Sequence, residues 1–160
     1  MLRGKSGAND MSIKLIRIKY KDLNARQKEN YNYQKLSAAL ADYGFVTMRL
    51  SSDWRGADLI AQHVDDLTFL KIQLKGRLTF CKYYVEKDLH IAFPLGDDWY
   101  LYPHDELLEK VHKINGLKNT LSWTEKGECS FPSSSLSKRI YRILNRYQLE
   151  PRQLSLVVED

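Results

Sequence analysis

The segment from Thr68 to Lys75 limits the possible folds of this chain more than any other feature. Aliphatic and polar side chains alternate strictly along it: Leu70, Lys71, Ile72, Gln73, Leu74 and Lys75. A period of two places alternate residues on opposite faces of a β-strand. We therefore predict a strand with one buried aliphatic face, and a second face that carries a Lys-Gln-Lys row.

The residues before this strand predict a helix followed by a β-hairpin. Asn24 and Gln27 have the spacing of a capping box, and Gly44 is typical of a left-handed helix stop. An apolar stripe with helical spacing lies between them: Tyr33, Leu36, Leu40 and Tyr43. Val46 to Leu50 alternates as a strand, and the polar residues Ser51 to Gly56 predict a turn. Ala57 to Ala61 predicts a second strand, with Asp65-Asp66 at the hairpin tip.

The rest of the chain predicts a small α/β domain. The expected elements are strands at 89–93 and 99–102, helices at 104–114 and 136–147, and a loop from 115 to 135. A basic segment, Ile13 to Lys21, predicts either a bulged edge strand or an extended arm. We expect a disordered leader at 1–12, one domain at 13–150 and a tail at 151–160. The order of elements favours a mixed central β-sheet flanked by helices.

Composition sets limits on the function. The chain has 160 residues, of which 43% are hydrophobic, and a formal net charge of +5. This charge favours a polyanionic partner only weakly. No apolar run approaches the ~20 residues that span a bilayer, and Met1 to Asp10 lacks the apolar segment expected of a signal peptide. Cys81 and Cys129 have neither zinc nor disulfide spacing, so we expect a cytoplasmic protein without a membrane segment.

The predicted hairpin can carry a hydrolytic site. Asp58 opens its first strand, and Gln73 and Lys75 share a face of its second strand, ~6.6 Å apart along the chain. Carboxylate and amide oxygens suit Mg²⁺, and the Leu74 backbone carbonyl could add another ligand. An ammonium group beside them can orient or help deprotonate a water and stabilise developing negative charge. These residue types are the ones that phosphodiester hydrolysis requires.

A family resemblance strengthens this interpretation. The run that carries it is YGFVTMRLSSDWRGADLIAQHVDDLTFLKIQLKGR. It resembles the core of the PD-(D/E)xK nuclease superfamily, which includes restriction endonucleases and Holliday-junction resolvases. The matching parts are a helix ending in a glycine, a strand, a Gly-Ala-Asp turn, and a hairpin that ends in basic residues. The resemblance covers roughly Asn24 to Arg77 and implies a restriction endonuclease-like core.

The resemblance also implies roles for individual residues. Asp58 would be the metal-binding aspartate, Gln73 the second ligand and Lys75 the catalytic lysine, with Mg²⁺ or Mn²⁺ as the cofactor. Two departures from the family pattern are Ala57 in place of proline and Gln73 in place of an acidic residue, which removes one negative charge. Many relatives carry a glutamate on the first helix. Gln34 lies near the expected place here, and Glu29 lies about a turn earlier.

Several basic residues are candidates for contacts with nucleic acid, most simply DNA. They are Arg55, Lys71, Arg77, Arg139 and Arg142. Basic side chains near a nuclease site can bind phosphates. The alternative is that Arg55 and Arg77 are ordinary turn and strand-end residues, that Lys71 and Lys75 protect a sheet edge from aggregation, and that the closing helix has a solvated basic face.

Two functions from different classes fit these observations. The first is a metal-dependent endonuclease that hydrolyses phosphodiester bonds in DNA, in which a homodimer could cut both strands. The second is a catalytically inactive nuclease-like domain that binds nucleic acid or a protein partner. The absence of an acid at Gln73 favours the second, and the position of Asp58 and Lys75 favours the first.

Overall fold

The computed structural model of the chain describes residues 15–150. The leader predicted at 1–12 and the tail predicted at 151–160 lie outside the described residues. Residues 15–19 adopt no regular secondary structure and lead into a single 3-10 turn, Tyr20–Asp22. Leu15 and Ile16 are exposed there. The basic segment is therefore an extended arm in its described part, and the alternative of a bulged strand is wrong.

Helix α1, Ala25–Ala41, begins and ends where the sequence predicts. The Asn24 side chain accepts a hydrogen bond from the Gln27 backbone N–H, and the Gln27 side chain accepts one from the Asn24 N–H, both over 2.9 Å. This reciprocal pair satisfies backbone donors that the first turn of a helix leaves free. Gly44 has a φ of +77°, which turns the chain into the next strand. The predicted capping box and glycine stop are confirmed.

A six-stranded mixed sheet forms the centre of the domain. Its strands are β1 (Phe45–Trp54), β2 (Ala57–His63), β3 (Phe69–Leu74), β5 (His90–Leu95), β6 (Asp98–Pro103) and β8 (Gln148–Leu149). They lie side by side in the order β1-β2-β3-β5-β6-β8. β3 and β5 are parallel, and every other neighbouring pair is antiparallel. The predicted mixed sheet flanked by helices is confirmed.

Helices cover the two faces of the sheet unequally. On one face, α1 packs through Leu36 and Leu40 against Leu59, Ile72 and neighbouring apolar residues. On the other face, α2 (His104–Asn115) and α3 (Lys138–Leu144) pack against β5 and β6, whose buried side chains include Phe93. The part of that second face formed by β1, β2 and β3 carries exposed apolar side chains: Val46, Met48 and Phe69. The functional side chains lie beside this part.

A second sheet lies where no strand was predicted. β4 (Leu78–Cys81) and β7 (Glu128–Phe131) pair antiparallel. No element was predicted for the residues of β4, and those of β7 fall in the predicted loop, because segments of four residues carry little periodic signal. A π-helical turn, Ser122–Lys126, and several single 3-10 turns occupy the rest of the predicted loop. Both cysteines lie in this small sheet, and both thiols are free.

The predicted polar turn at 51–56 is largely wrong. β1 continues to Trp54, and only Arg55 and Gly56 form the turn, both with positive φ. Between the paired positions Arg49↔Leu59 and Trp54↔Ala57, four residues of β1 lie opposite the single residue Asp58. This bulge has exposed serines because β1 is at the edge of the sheet. Alternation therefore fails as a strand signal at this point.

The last two helices match the predictions with one exception. α3 buries Ile140 and Leu144 as expected, but it is shorter than the predicted span because its end tightens into a 3-10 turn, Asn145–Tyr147. His104, the first residue of α2, is only 1% exposed. Its Nε2 accepts a hydrogen bond from the Cys81 backbone N–H over 3.2 Å. Across residues 15–150, no helix is long and apolar enough to cross a membrane.

Candidate active site

Asp58 and Gln73 meet on one face of the β2–β3 hairpin. The register pairs Leu59 with Ile72, so Asp58 lies opposite Gln73 on the neighbouring strand. Residues directly opposite each other in antiparallel strands project to the same face, ~5 Å apart. Gln73 Nε2 donates a hydrogen bond to Asp58 Oδ2 over 2.6 Å. The structure thus brings together the two residues for which the hairpin pattern predicted a common site, and their roles stay a prediction.

The Asp58 carboxylate is held by two donors and is electrostatically strained. Besides Gln73, the backbone N–H of Leu74 donates to Oδ2 over 2.9 Å. Burial raises the pKa of Asp58 above its ordinary value, and the negative charges of Glu29 and Asp53 raise it further. The Leu74 hydrogen bond and the Lys75 ammonium oppose this effect without cancelling it. A carboxylate in this position favours the approach of a positive charge.

Lys75 lies just beyond β3 in a half-buried environment. Its backbone N–H donates to the Ala92 carbonyl oxygen over 2.9 Å, which holds the chain against β5. Its Nζ lies 3.9 Å from Glu128 Oε2 and 5.4 Å from the centre of the Tyr84 ring. Burial lowers the pKa of Lys75, but the Tyr84 hydroxyl and Glu128 raise it more, so the net pKa is above its ordinary value. Lys75 is therefore a permanent positive charge at neutral pH.

Tyr84 and Glu128 are two site residues that the sequence patterns did not indicate. Tyr84 belongs to a 3-10 turn, Lys82–Tyr84, and Glu128 begins β7. Neither segment has a period that singles out a residue, and the only signal for Tyr84 is the pair of adjacent tyrosines at 83 and 84. Both residues reach Lys75 because the small β4–β7 sheet folds back over the end of β3.

Gly56 fits Tyr84 closely against the hairpin. It has a φ of +94°, and a Cβ atom at this position would lie 3.0 Å from Tyr84 Cδ1. Any larger residue would therefore be strained and would displace the ring that contacts Lys75. The turn is closed by the Gly56 backbone N–H, which donates to Asp53 Oδ1 over 2.5 Å. The predicted Gly-Ala-Asp turn thus positions both strands of the site.

The helix side chain whose charge acts on Asp58 is Glu29. Glu29 lies near the start of α1 and pairs with Arg49 of β1, which also donates to Asn30 Oδ1. Gln34 is exposed, and five residues along a helix turn it away from the Glu29 side. Glu29 is therefore a second candidate for the helix residue of this site, and the role of Gln34 stays a prediction.

The candidate phosphate-binding residues differ in how free they are. Arg55 is exposed at the β1–β2 turn, and Arg77 is exposed just after Lys75. Arg139 and Arg142 are exposed on α3. Lys71 is engaged instead: its Nζ donates to the Lys87 carbonyl oxygen over 2.6 Å and lies 3.5 Å from Asp88 Oδ2. Arg55 lies close before Asp58 in the chain, and Arg77 lies close after Lys75. Both are exposed, so they are the basic residues of this set best placed to contact a phosphate group near the site.

The oxygen atoms at the site suit a small hard cation. Asp58 Oδ2 and the Leu74 carbonyl oxygen converge on the electropositive Gln73 Nε2, at 2.6 and 3.4 Å. Mg²⁺ uses oxygen ligands and usually takes only one or two carboxylates, with water in its other positions. Rotation of the Gln73 amide would offer Oε1 as a further ligand. Among the described residues, no three His, Cys, Asp or Glu side chains form a metal-binding cluster.

Comparisons with known proteins give similarity at the level of structure only. No protein-family model matches the sequence, and no curated protein matches it. Two similar solved structures are those of Hjc, a Holliday junction resolvase from Archaeoglobus fulgidus, and of I-Ssp6803I, a bacterial homing endonuclease. The first is 19% identical over 49% of this chain and 74% of its own, with a TM-score of 0.40. The second is 12% identical over 78% of this chain and 94% of its own, with a TM-score of 0.41.

Proposed function

We propose that this protein is a metal-dependent endonuclease that hydrolyses phosphodiester bonds in DNA. The observation that carries the proposal is that the Asp58 carboxylate, the Gln73 amide and the Leu74 backbone meet at one end of the hairpin, with Lys75 as the next residue of the chain. This corner combines oxygen donors with a fixed positive charge. A scissile phosphate group requires both, since its charge grows more concentrated during hydrolysis.

The residues of the site divide the work between them. Asp58, the Leu74 carbonyl and Gln73 would hold Mg²⁺ or Mn²⁺, with Glu29 as an outer carboxylate. The cation would supply Lewis-acid activation of water and charge stabilisation. Lys75 stabilises the phosphate oxygens and orients the attacking water; its raised pKa argues against a role as the base that deprotonates that water. Arg55 and Arg77 bind flanking phosphates.

The test is cleavage of supercoiled plasmid DNA by the purified chain with Mg²⁺, Mn²⁺ or EDTA. We expect nicking or cutting with either metal and none in EDTA. Asp58→Asn and Lys75→Met should each lower the rate by at least about 100-fold, the scale for losing one group that stabilises a transition state. Lys113→Met, at an exposed position of α2, is the matched control. Full activity in Lys75→Met would refute the role of that lysine.

A second candidate function rests on the hydrogen bond between Gln73 and Asp58. Because Gln73 Nε2 already satisfies Asp58 Oδ2, the site is stable as a metal-free polar pair. The chain would then be a non-catalytic module that binds nucleic acid through its positive charge. Calorimetry distinguishes the two functions. Absence of Mn²⁺ binding together with salt-sensitive DNA binding supports the module, and Mn²⁺ binding that is lost in Asp58→Asn supports the nuclease.

A homodimer is the assembly that we propose for cutting both strands of a duplex. Val46 and Phe69 lie on the same sheet face as Asp58, both are exposed, and both pair with Gln62 of the central strand. Burial of this apolar surface between two copies would be favourable and would leave both sites beside the interface. Light scattering should show a dimer that Phe69→Lys converts to a monomer. A monomeric wild-type chain would exclude this assembly.

A further inference from the structure

An aromatic cavity lies beside the first half of α1 and is not used by the proposed mechanism. It has a volume of about 390 Å³, within the range of small-molecule sites. Its walls include three aromatic rings, one amide and two charged groups: Tyr20, Tyr31, Trp99, Asn32, Lys35 and Asp97. Trp99 is nearly buried, whereas the tyrosine rings are partly open to solvent.

The polar groups of the cavity are suited to the edge of a planar ring. Asn32 is a buried residue, and its Nδ2 donates to the Tyr20 hydroxyl over 2.9 Å. This bond fixes the amide and leaves its Oδ1 as an acceptor. Asp97, from the turn between β5 and β6, adds a carboxylate acceptor to the lining of the cavity. Acceptors facing a space between aromatic rings are the groups that recognise the N–H edge of an unpaired base.

Positive charge surrounds the same aromatic rings. Lys28 Nζ lies 5.7 Å from the Tyr20 ring centre, and Lys35 Nζ lies 5.5 Å from that of Tyr31. Lysine side chains beside stacking rings are typical of sites that hold a single strand, since the ammonium groups attract phosphates while the rings stack on bases. A plain solvent cleft would not require this combination of rings, fixed amide and cations.

The cavity lies on the α1 side of the sheet, at the same end of β3 and β5 as the candidate active site on the other face. β3 and β5 are parallel, so Lys75 and the turn after Leu95 lie at one edge. A second cavity contains Gly76 and Arg77, and it shares Pro94 and Gly96 with the aromatic cavity. Glu29, whose charge raises the pKa of Asp58, lies three residues before Asn32 on the same side of α1.

We propose that the aromatic cavity binds one unstacked nucleobase of a DNA strand whose backbone passes Arg77 and Lys75. This inference deepens the proposed function and rests on it for the path of the strand. It implies that the substrate has a single-stranded or distorted segment near the cleavage site. A regular duplex keeps its bases stacked and cannot fill the cavity without flipping one out.

The experiment measures binding without metal, so that cleavage plays no part. In EDTA, fluorescence anisotropy compares a labelled oligothymidine with an oligomer of the same length whose sugars carry no bases. We expect the wild type to bind oligothymidine at least tenfold more tightly, because each stacked base adds about that much affinity. Tyr31→Ala should remove the difference, and Tyr31→Phe should keep it.

Tyr43 provides a matched control for Tyr31. It is 41% exposed, against 39% for Tyr31, and it lies near the other end of the same helix. Tyr43→Ala should bind both oligomers as the wild type does. Equal binding of the two oligomers by the wild type would overturn the proposal, as would equal losses in Tyr43→Ala and Tyr31→Ala. Base-dependent binding without Mg²⁺-dependent cleavage would instead refute only the nuclease activity.

Discussion

The two faces of the β2–β3 hairpin show how one pair of strands can serve opposite purposes. On the face toward α1, Leu59 and Ile72 are fully buried in an apolar cluster. On the other face, the neighbouring residues Asp58 and Gln73 form a polar pair that is half-buried. Adjacent residues in the chain therefore contribute either to stability or to chemistry, and strand alternation alone separates them.

The difference between the faces comes from what covers each one. α1 seals the apolar face with Leu36 and Leu40, so its side chains lose all contact with water. On the polar face the Tyr84 turn and the start of β7 lie beside Lys75, and Asp58 and Gln73 remain half-buried. A carboxylate that is partly desolvated in this way becomes more responsive to a nearby positive charge than one in bulk water.

The largest expected effect is a difference in stability between substitutions at two neighbouring residues of β3. Ile72→Ala should lower the free energy of unfolding by about 2–5 kcal/mol, because it leaves a cavity beneath α1. Gln73→Ala should lower it by less than about 1 kcal/mol, because its side chain borders solvent. Urea unfolding without metal at neutral pH measures both. Equal losses in the two variants would break the distinction between the faces.

A substitution at Gln73 should make the polar face depend on metal. Gln73→Glu replaces a hydrogen-bond donor to Asp58 with a second carboxylate, which we expect to cost about 1–2 kcal/mol without a cation. Mn²⁺ should then raise the melting temperature more in this variant than in the wild type. Gln62→Glu, on the same face but beside Phe69, is the control. An identical Mn²⁺ response in the wild type and Gln73→Glu would contradict the proposed ligand position.

Tyr84→Phe tests whether the Tyr84 hydroxyl raises the pKa of Lys75. The substitution keeps the ring but removes the hydroxyl that raises the pKa of Lys75. We expect that pKa to fall, which moves the alkaline limit of cleavage to lower pH. NMR titration of the lysine side chain gives the same quantity independently of activity. Tyr83→Phe, the adjacent tyrosine, should leave the Lys75 titration unchanged.

The smallest expected effect is the pH dependence of stability from Asp58. Its pKa is raised in the folded state, so the folded chain binds this proton more tightly than the unfolded chain. The free energy of unfolding should therefore fall as pH rises from 3.8 through the raised pKa, and then level off. Asp58→Asn should remove this step and gain about 1 kcal/mol or less at pH 7, since solvent screens the partly exposed group. If Asp58→Asn stabilised the folded chain more at pH 3 than at pH 7, the pH dependence would have the opposite direction to the one predicted.

The hairpin was predictable because its signals are local. Strand alternation from Leu70 to Leu74 and the turn around Asp65 are enough to place Gln73 beside Asp58, and the structure shows that contact. The capping box at Asn24 and the stop at Gly44 likewise depend only on neighbouring residues. In these segments, the contacts that fix the structure are between residues of the same turn, the same helix or one pair of adjacent strands.

Other features depended on contacts between distant segments. Gln34 was predicted beside Asp58 from its spacing to Gly44, whereas the helix residue whose charge raises the pKa of Asp58 is Glu29. His104 carries a polar ring, yet its hydrogen bonds to the Cys81 backbone and to Asp105 allow it to be buried. Local sequence patterns predict neither the effect of Glu29 on Asp58 nor the burial of His104, because both depend on how a helix packs against the sheet.

The sequence by itself determined the first helix, the hairpin that follows it, the polar face of that hairpin and the positions of Asp58, Gln73 and Lys75 along it. Only the tertiary structure decided what surrounds them. Tyr84 and Glu128 come to Lys75 from segments without periodic signals, and the aromatic cavity joins α1 to the β5–β6 turn. Local periodicity encodes which face a side chain occupies, whereas packing between distant segments determines its neighbours and therefore its charge state.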